Sequence, residues 1–479
     1  MKFNHIFGNP PFQDSKNKRK TQHKIWIDFT KLAINDWLKE GGTLNWITPM
    51  SWGSPSNKIL GLLKEHEVDK VYLDTKKYFP SIGSTFCHYH LKKKAKKNQT
   101  TFLHGNSSFS FKLDSSFLYI PNDVCTTSLS IHKKVMHSNH KKYKLNYDYV
   151  TCHNVIRHAV SLNKKKISKK CDQLKLCKNL NEAQKVCDSI QNLYERQAKI
   201  DITVSETKTK KHIYPILHTN NKTWFSSKKQ EFFDKKKVIW SRSGYTKPVY
   251  NKGGLGCTDM GYFILVDTDS KGLDLERYLN SKIMKYIFKT AKWSGFGNEL
   301  VFSSIPIIDT SKCKNDDDYY NSFGLTKAEI KYIESVLVPP KKPKNLKVSA
   351  ETKSNKRVKE FGEVFTPKEL VLEMLEMVSN SEWKNKESTF IDPACGNGNF
   401  LIEIFIKRLN SGISVEDSLE TLYGIDIMTD NIKDCHDRIL KYLSDNKIKH
   451  NKKKVKTILS KNIVLNNALE NKMDKIFLT

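Results

Sequence analysis

The 479-residue sequence predicts an α/β protein in which one doubly wound, mostly parallel, Rossmann-like sheet is assembled from both chain ends. Three observations point there. Residues 1–95 alternate strand and helix patterns, and the alternation resumes after residue 361. Only the second stretch carries a glycine-rich strand–turn–helix. Between them runs a long basic region of different character.

The first stretch opens with "KFNHIF" (2–7), a short strand that ends at an Asn-Pro-Pro loop. "IWIDFTKLAINDWLKEGG" (25–42) spaces Ile25, Phe29, Leu32 and Trp37 as a helix does, with Gly41 and Gly42 as its stop. "TLNWITP" (43–49) reads as a buried strand closed by Pro49. A helix over 57–67 and strands over 68–74 and 84–91 follow, giving βαβα and then two strands.

From 96 to 340 the pattern breaks up, and lysine runs such as "LKKKAKKN" (91–98) separate short mixed elements. A helix over 176–199 aligns Leu176, Leu180, Ala183, Cys187 and Ile190 in a stripe that reads as packing surface. Residues 341–360, rich in Lys, Pro and Ser, read as a solvated linker. Over 361–479 the order is helix (367–378), strand (388–394), helix (399–409), strand (420–427), helix (429–443) and strand (461–469).

The formal charge is +31, from 82 Lys and Arg against 51 Asp and Glu, which favours a polyanionic partner. A genome-wide bias toward Lys and Asn accounts for part of that excess and leaves a strongly basic chain. No apolar run approaches the ~20 residues of a membrane span. The N-terminus lacks a secretory pattern, so the expected compartment is the cytoplasm, with no membrane partner. Ten cysteines without a CxxC pair or His/Cys cluster argue against a disulfide framework and against a metal site. Most read as small buried hydrophobes.

Two motifs carry chemistry. In "FGNPPF" (7–12), a stiff Pro-Pro backbone holds two acceptors, the Asn9 side-chain oxygen and the Pro10 carbonyl. Pro11 stiffens the loop and Phe12 offers a stacking face. Such a pair localises the lone pair of an amine conjugated with a flat base, by preorganisation rather than proton abstraction. In "DPACGNGNFL" (392–401), Gly396 and Gly398 permit a tight turn, and the helix start behind them favours a carboxylate or phosphate. Asp426, ending the next strand, suits ribose hydroxyls, but the spacing and the missing GxGxxG disfavour a nicotinamide site.

Together "FGEVFTP" (361–367), "DPACGNGNFL", "YGIDI" (423–427) and "NPPF" (9–12) resemble S-adenosylmethionine-dependent DNA amino-methyltransferases, above all the adenine-N6 enzymes of restriction–modification systems. "GGTLNWITPMSW" and "GSTFCHYHL" are similar to that family too, and the likeness covers both α/β stretches. It implies roles. Phe365, Thr366 and Pro367 cover the methionine end of S-adenosylmethionine. Asp392, Pro393, Ala394, Cys395, Gly396 and Gly398 surround its amino-acid moiety. Asp426 holds the ribose, Ile427 lies beside the adenine ring, and Asn467 stands where the family has an Asp on the adenine amine. The implied fold is a seven-stranded sheet with the family's two halves in circularly permuted order. The last residues, "MDKIFLT", resemble the start of the first strand, which suggests a vestigial copy or one paired beside it.

The central region is then the target-recognition part, with double-stranded DNA as partner. Arg242 suits a guanine edge, while Lys292, Trp293 and Phe296 suit backbone or an unstacked base. A tight turn around a buried Trp explains "KWSGFG" equally well. N4-cytosine methylation and a catalytically degenerate DNA-binding relative stay open. No obligate protein partner is evident, a PD…ExK nuclease cluster is not found, and a cognate restriction endonuclease is compatible with the sequence.

Overall fold

The computed structural model describes residues 1–12, 24–55, 57–79, 85–94, 99–114, 117–136, 143–146, 170–175, 177, 179–198, 204–218, 222–241, 247–258, 260–293, 298–302, 304–338 and 364–477. The chain divides into two units, Met1–Tyr119 with Lys341–Thr479, and Ile120–Pro340. The expected linker at 341–360 lies outside the described residues.

In the first unit the strands are β1 (Phe3–Gly8), β2 (Leu38–Pro49), β3 (Glu67–Tyr72), β4 (Phe86–Lys92), β5 (Thr100–His104), β6 (Ser107–Phe111), β7 (Phe390–Asp392), β8 (Leu422–Asp426) and β9 (Ile463–Leu465). The helices are α1 (Ile25–Leu32), α2 (Lys58–Lys64), α3 (Lys368–Leu375), α4 (Asn380–Lys384), α5 (Asn399–Asn410), α6 (Val415–Glu420), α7 (Thr429–Asp445), α8 (Lys452–Asn462) and α9 (Met473–Phe477).

Phe3, Ile6 and Phe7 of β1 are fully buried, as expected of a central strand. Both edges of β1 are paired in parallel: β2 lies on one side and β7 on the other, with His5 opposite Phe390 and Ile6 opposite Ile391. Strands from both chain ends therefore share one mixed sheet, in the order β9-β8-β7-β1-β2-β4-β3-β5-β6. It has nine strands, not seven. The two extra ones form the hairpin β5–β6, which joins through parallel pairing of β5 with β3. Past the lysine run the chain still buries Phe102 and stacks it on Phe111 at 4.9 Å, enough apolar surface to extend the sheet.

Two local expectations need correction. Helix α1 runs on through a π-helical turn, Ala33–Trp37, and β2 begins at Leu38, so Gly41 and Gly42 lie in a strand and not at a helix stop. Gly41 has φ +74°, and a Cβ on Gly42 would come within 2.6 Å of the Asn4 carbonyl oxygen, where the β1–β2 register shifts. Of "MDKIFLT", the described residues Met473–Phe477 form helix α9 and not a strand beside β1, both of whose edges are paired. Its Phe477 instead packs edge-on against Phe3 and Tyr423.

One core joins the two ends. Phe7, Ile47 and Phe86 cluster with Leu370, Met374, Trp383, Phe390 and Phe400. Burying each such side chain contributes about 1.5–3 kcal/mol. A polar clasp adds direction: fully buried Arg408 of α5 donates to the carbonyls of Trp383, Asn385 and Lys386 and to Thr421 Oγ1. It thereby ties the turn that feeds β7 to the turn that feeds β8.

The second unit contains a three-stranded antiparallel sheet (Val249–Asn251, Lys237–Ser241, Gly261–Leu265) and a four-stranded sheet (Gly256–Cys257, Tyr214–Leu217, Thr223–Ser226, Val204–Ser205). Trp240 stacks on Phe302 at 4.0 Å in its core. In the helix Leu180–Ala198 the expected packing stripe is not buried: Leu180 is 88% exposed, Cys187 is exposed, and Leu176 lies outside the described residues. The cysteines also divide. Of the nine described, five are buried, while Cys171 and Cys187 are exposed. Among the described residues no helix is long and apolar enough to cross a membrane.

Candidate active site

The loop after β1 and the glycine loop after β7 leave the carboxyl ends of adjacent parallel strands, the edge at which open α/β sheets bind ligands. Gly8 makes the approach possible. A Cβ there would lie 2.6 Å from the Trp46 ring and 3.1 Å from Asp392 Oδ1. Pro10 is buried, and Asn9 and Pro11 are half-buried. Asn9 donates its side-chain nitrogen to the Val364 carbonyl at 3.3 Å, joining the Asn-Pro-Pro loop to the segment that begins Phe365-Thr366-Pro367. That bond occupies the amide nitrogen, so the carboxamide oxygen is on the opposite side of the group. Phe12 stacks on Phe86 at 5.1 Å, which covers one face of its ring.

The glycine loop is set by backbone conformation. Gly396 and Gly398 have φ of +52° and +84°, the left-handed region that L side chains avoid. Gly398 caps α5, and a Cβ on it would meet Cys435 Sγ at 2.8 Å. Gly398→Ala is expected to cost about 1–2 kcal/mol from backbone strain alone, read as a lower melting temperature, and the Cys435 contact adds to it.

Asp426 organises this loop. One carboxylate oxygen accepts the Gly396 N–H at 2.9 Å, and the other accepts the Met428 N–H at 2.8 Å and Asn431 Nδ2 at 3.2 Å. Beside it Ile427 is 48% exposed, an apolar surface open to solvent. Asn467 is half-buried, and its side-chain oxygen accepts the Leu469 N–H at 3.1 Å, so this loop already uses part of its acceptor capacity. Cys395 is buried, donates its N–H to the Ile425 carbonyl, and has its sulfur 3.9 Å from that of Cys435. Phe365 and Thr366 are buried. The Thr366 carbonyl accepts Asn399 Nδ2 at 2.8 Å, and Pro367 starts α3.

Asp392 is buried, and its Oδ1 accepts the Ala394 N–H at 3.0 Å; Pro393 between them is buried too. Desolvation, reinforced by the charge of Asp426, pushes the Asp392 carboxyl up to about 8. The folded state therefore holds a proton that the unfolded chain releases near its ordinary value. Stability from this group is complete below about pH 4 and is lost as pH rises toward 8. Asp392→Asn keeps the site neutral, so its melting temperature is expected to fall less than wild type's between pH 5 and 8.

Sequence reasoning missed four contributors: Gly8, Asn397, Asn399 and Arg438. Asn397 Oδ1 is buried without a hydrogen-bond partner among the described residues, between the two glycines of the loop. Gly8 was signalled only by its place directly before Asn9. In the second unit, Trp293 is half-buried and donates its indole N–H to the Ile120 carbonyl at 2.7 Å, while the Lys292 carbonyl accepts Asn122 Nδ2. Arg242 and Phe296 lie outside the described residues.

Residues 350–476 match the family model described as N-6 DNA Methylase, and residues 1–79 match Eco57I restriction-modification methylase. No curated protein matches the chain. Similar solved structures include a nuclease-deletion mutant of the Type ISP restriction-modification enzyme LlaGI with a DNA substrate mimic (11% identity, TM-score 0.37, 64% of this chain and 40% of that one). The Type IIL enzyme MmeI in complex with DNA is another (10%, 0.32, 69% and 56%). A third is the DrdV–DNA complex (11%, 0.32, 64% and 42%). The chain thus spans 40–56% of the length of these structures. By the two family matches, residues 1–79 and 350–476 of this chain are N6 DNA methyltransferase domains of the kind found in restriction–modification systems.

Proposed function

We propose that the chain transfers a methyl group from S-adenosylmethionine to the N6 amine of an adenine extruded from double-stranded DNA. The observation that carries this reading is the pairing of β1 with β7, from which the Asn-Pro-Pro loop and the glycine loop emerge side by side. The strand order also supports the circularly permuted assembly, since the parallel run β9-β8-β7-β1-β2 crosses from the end of the chain to its beginning.

The residues fit the cofactor. Asp426 accepts ribose hydroxyls, Ile427 offers an apolar face to the adenine ring, and Asn467 lies at the end of that same edge. The loop from Asp392 through Pro393, Ala394 and Cys395 to Gly396 and Gly398, with the α5 N-terminus behind it, receives the amino-acid moiety. Phe365, Thr366 and Pro367 flank the methionine end. The unpartnered Asn397 oxygen supplies an acceptor suited to an ammonium group. When bound, S-adenosylmethionine supplies an electrophilic methyl on a sulfonium.

The chain's own residues do the rest. Asn9 Oδ1 and the Pro10 carbonyl accept from the two N–H groups of the target amine and localise its lone pair toward the methyl. Pro11 keeps that backbone stiff, and the ring of Phe12 suits the extruded base. Proximity and in-line orientation supply most of the remaining acceleration. The charge of +31 supports sequence-independent phosphate contacts, with affinity that falls as salt rises. Target recognition falls to the central unit, with Arg242, Lys292, Trp293 and Phe296 as candidate contacts. The working compartment is the cytoplasm, with a separate endonuclease as the natural counterpart.

The test is methylation-sensitive sequencing of DNA from cells expressing the protein, with nucleoside analysis of the product. N6-methyladenine within one short sequence motif is the expected result. N4-methylcytosine, or no methylated base, overturns the reading.

A further inference from the structure

Arg438 lies on α7, the helix that follows the ribose-side acid Asp426, yet its hydrogen bonds go to the glycine loop. Its Nη1 donates to the Asn397 carbonyl at 2.7 Å and to Asn399 Oδ1 at 2.6 Å. Asn399 is the first residue of α5, and its side-chain nitrogen donates to the Thr366 carbonyl at 2.8 Å. Engaging the Asn399 oxygen from one side fixes which way its amide faces. The nitrogen must then point at Thr366. A single chain of bonds thus runs from α7 through the glycine loop to the Phe-Thr-Pro segment.

We propose that Arg438 is a positioning residue for the cofactor, acting through Asn399 to hold the Phe365–Pro367 segment against the glycine loop. The proposal rests on the reading given under Proposed function. The loop has a particular need of such a tie. Its glycines take their conformation without side-chain packing of their own, and the described residues across from it, Val364–Pro367, are in neither strand nor helix. Asp426 secures the Gly396 amide, while Arg438 secures the two positions that flank Gly398. Between them, both halves of the loop are held by side chains from the β8–α7 connection and its helix. Charge contributes as well, because a guanidinium beside this loop favours an anionic group in it.

The role predicts a loss in cofactor binding and not in chemistry. In the full-length protein, Arg438→Ala is expected to raise KM for S-adenosylmethionine by at least about tenfold with kcat within about threefold, the signature of lost ground-state binding. Calorimetry with S-adenosylhomocysteine should show the same loss, and Arg438→Lys, which keeps one charged donor, should recover much of it. Asn399→Ala removes the Thr366 tie while leaving Arg438 in place, so it should reproduce the KM effect even if Arg438→Ala folds poorly. The double variant should lose less than the product of the two single losses, because both act on one chain of bonds. Unchanged KM in Asn399→Ala, or multiplicative losses in the double variant, overturns the positioning role alone. A wild-type protein that neither binds S-adenosylhomocysteine nor methylates DNA overturns the proposed function, and this role with it.

Discussion

Methyl transfer by Asn9→Ala is expected to fall by about 10²–10³-fold or more, with DNA binding and melting temperature close to wild type. On the proposed function, the variant removes the side-chain acceptor that would make an aromatic amine nucleophilic and leaves the Pro10 carbonyl. It also removes the bond to the Val364 carbonyl, a neutral contact of a half-buried group worth about 1 kcal/mol. The fold therefore survives and the activity does not. Asn9→Asp restores an acceptor but adds a negative charge beside a half-buried site and loses the donor to Val364, so it should recover only part of the rate. Transfer measured under single-turnover conditions, beside a gel-shift assay on the same DNA, separates the two effects. Full activity in Asn9→Ala sinks the assignment of the Asn-Pro-Pro loop.

The largest stability loss is expected at Arg408. Arg408→Ala strips donors from three backbone carbonyls and one hydroxyl around a fully buried side chain and leaves a cavity beneath Trp383 and Phe390. A cavity in place of a fully buried side chain, with the buried Trp383 carbonyl left without this donor, makes a cost of about 3 kcal/mol or more reasonable. For a unit of this size that lowers the melting temperature by about 6–12 °C. Arg408→Lys keeps the charge but not the fork that reaches both turns, so it should fall between alanine and wild type. An unchanged melting curve for Arg408→Ala is the outcome that contradicts the clasp.

Much of the first unit was readable from hydrophobic period and punctuation. The strands at 2–7, 43–49, 388–394 and 420–427 all contain the paired cores seen in the sheet, because buried parallel strands leave short apolar runs ended by Gly, Pro or Asp. The hairpin β5–β6 was not readable, since its serines and threonines look like loop until Phe102 and Phe111 are seen stacked. The glycine pair at 41–42 was legible as a break and not as a bulge, a difference that depends on Asn4, far back in the chain. The candidate site followed the same division. Asn9, Gly396, Gly398 and Asp426 announce themselves through local chemistry. Gly8, Asn399 and Arg438 matter only through Trp46, Asp392 and Thr366, neighbours supplied by folding.

The double pairing of β1 also governs how this chain can be made. Asn4 finds Thr389 385 residues later, so β1 cannot complete its sheet until those 385 residues have followed it from the ribosome. At synthesis rates of about 5–20 residues per second that wait is about 20–80 s. Through that interval one edge of β1 faces water with its ladder groups unpaired, an aggregation hazard that closing so long a loop makes slow to resolve. A nascent chain of this design stays without its paired loops until Phe390 and Ile391 have been made.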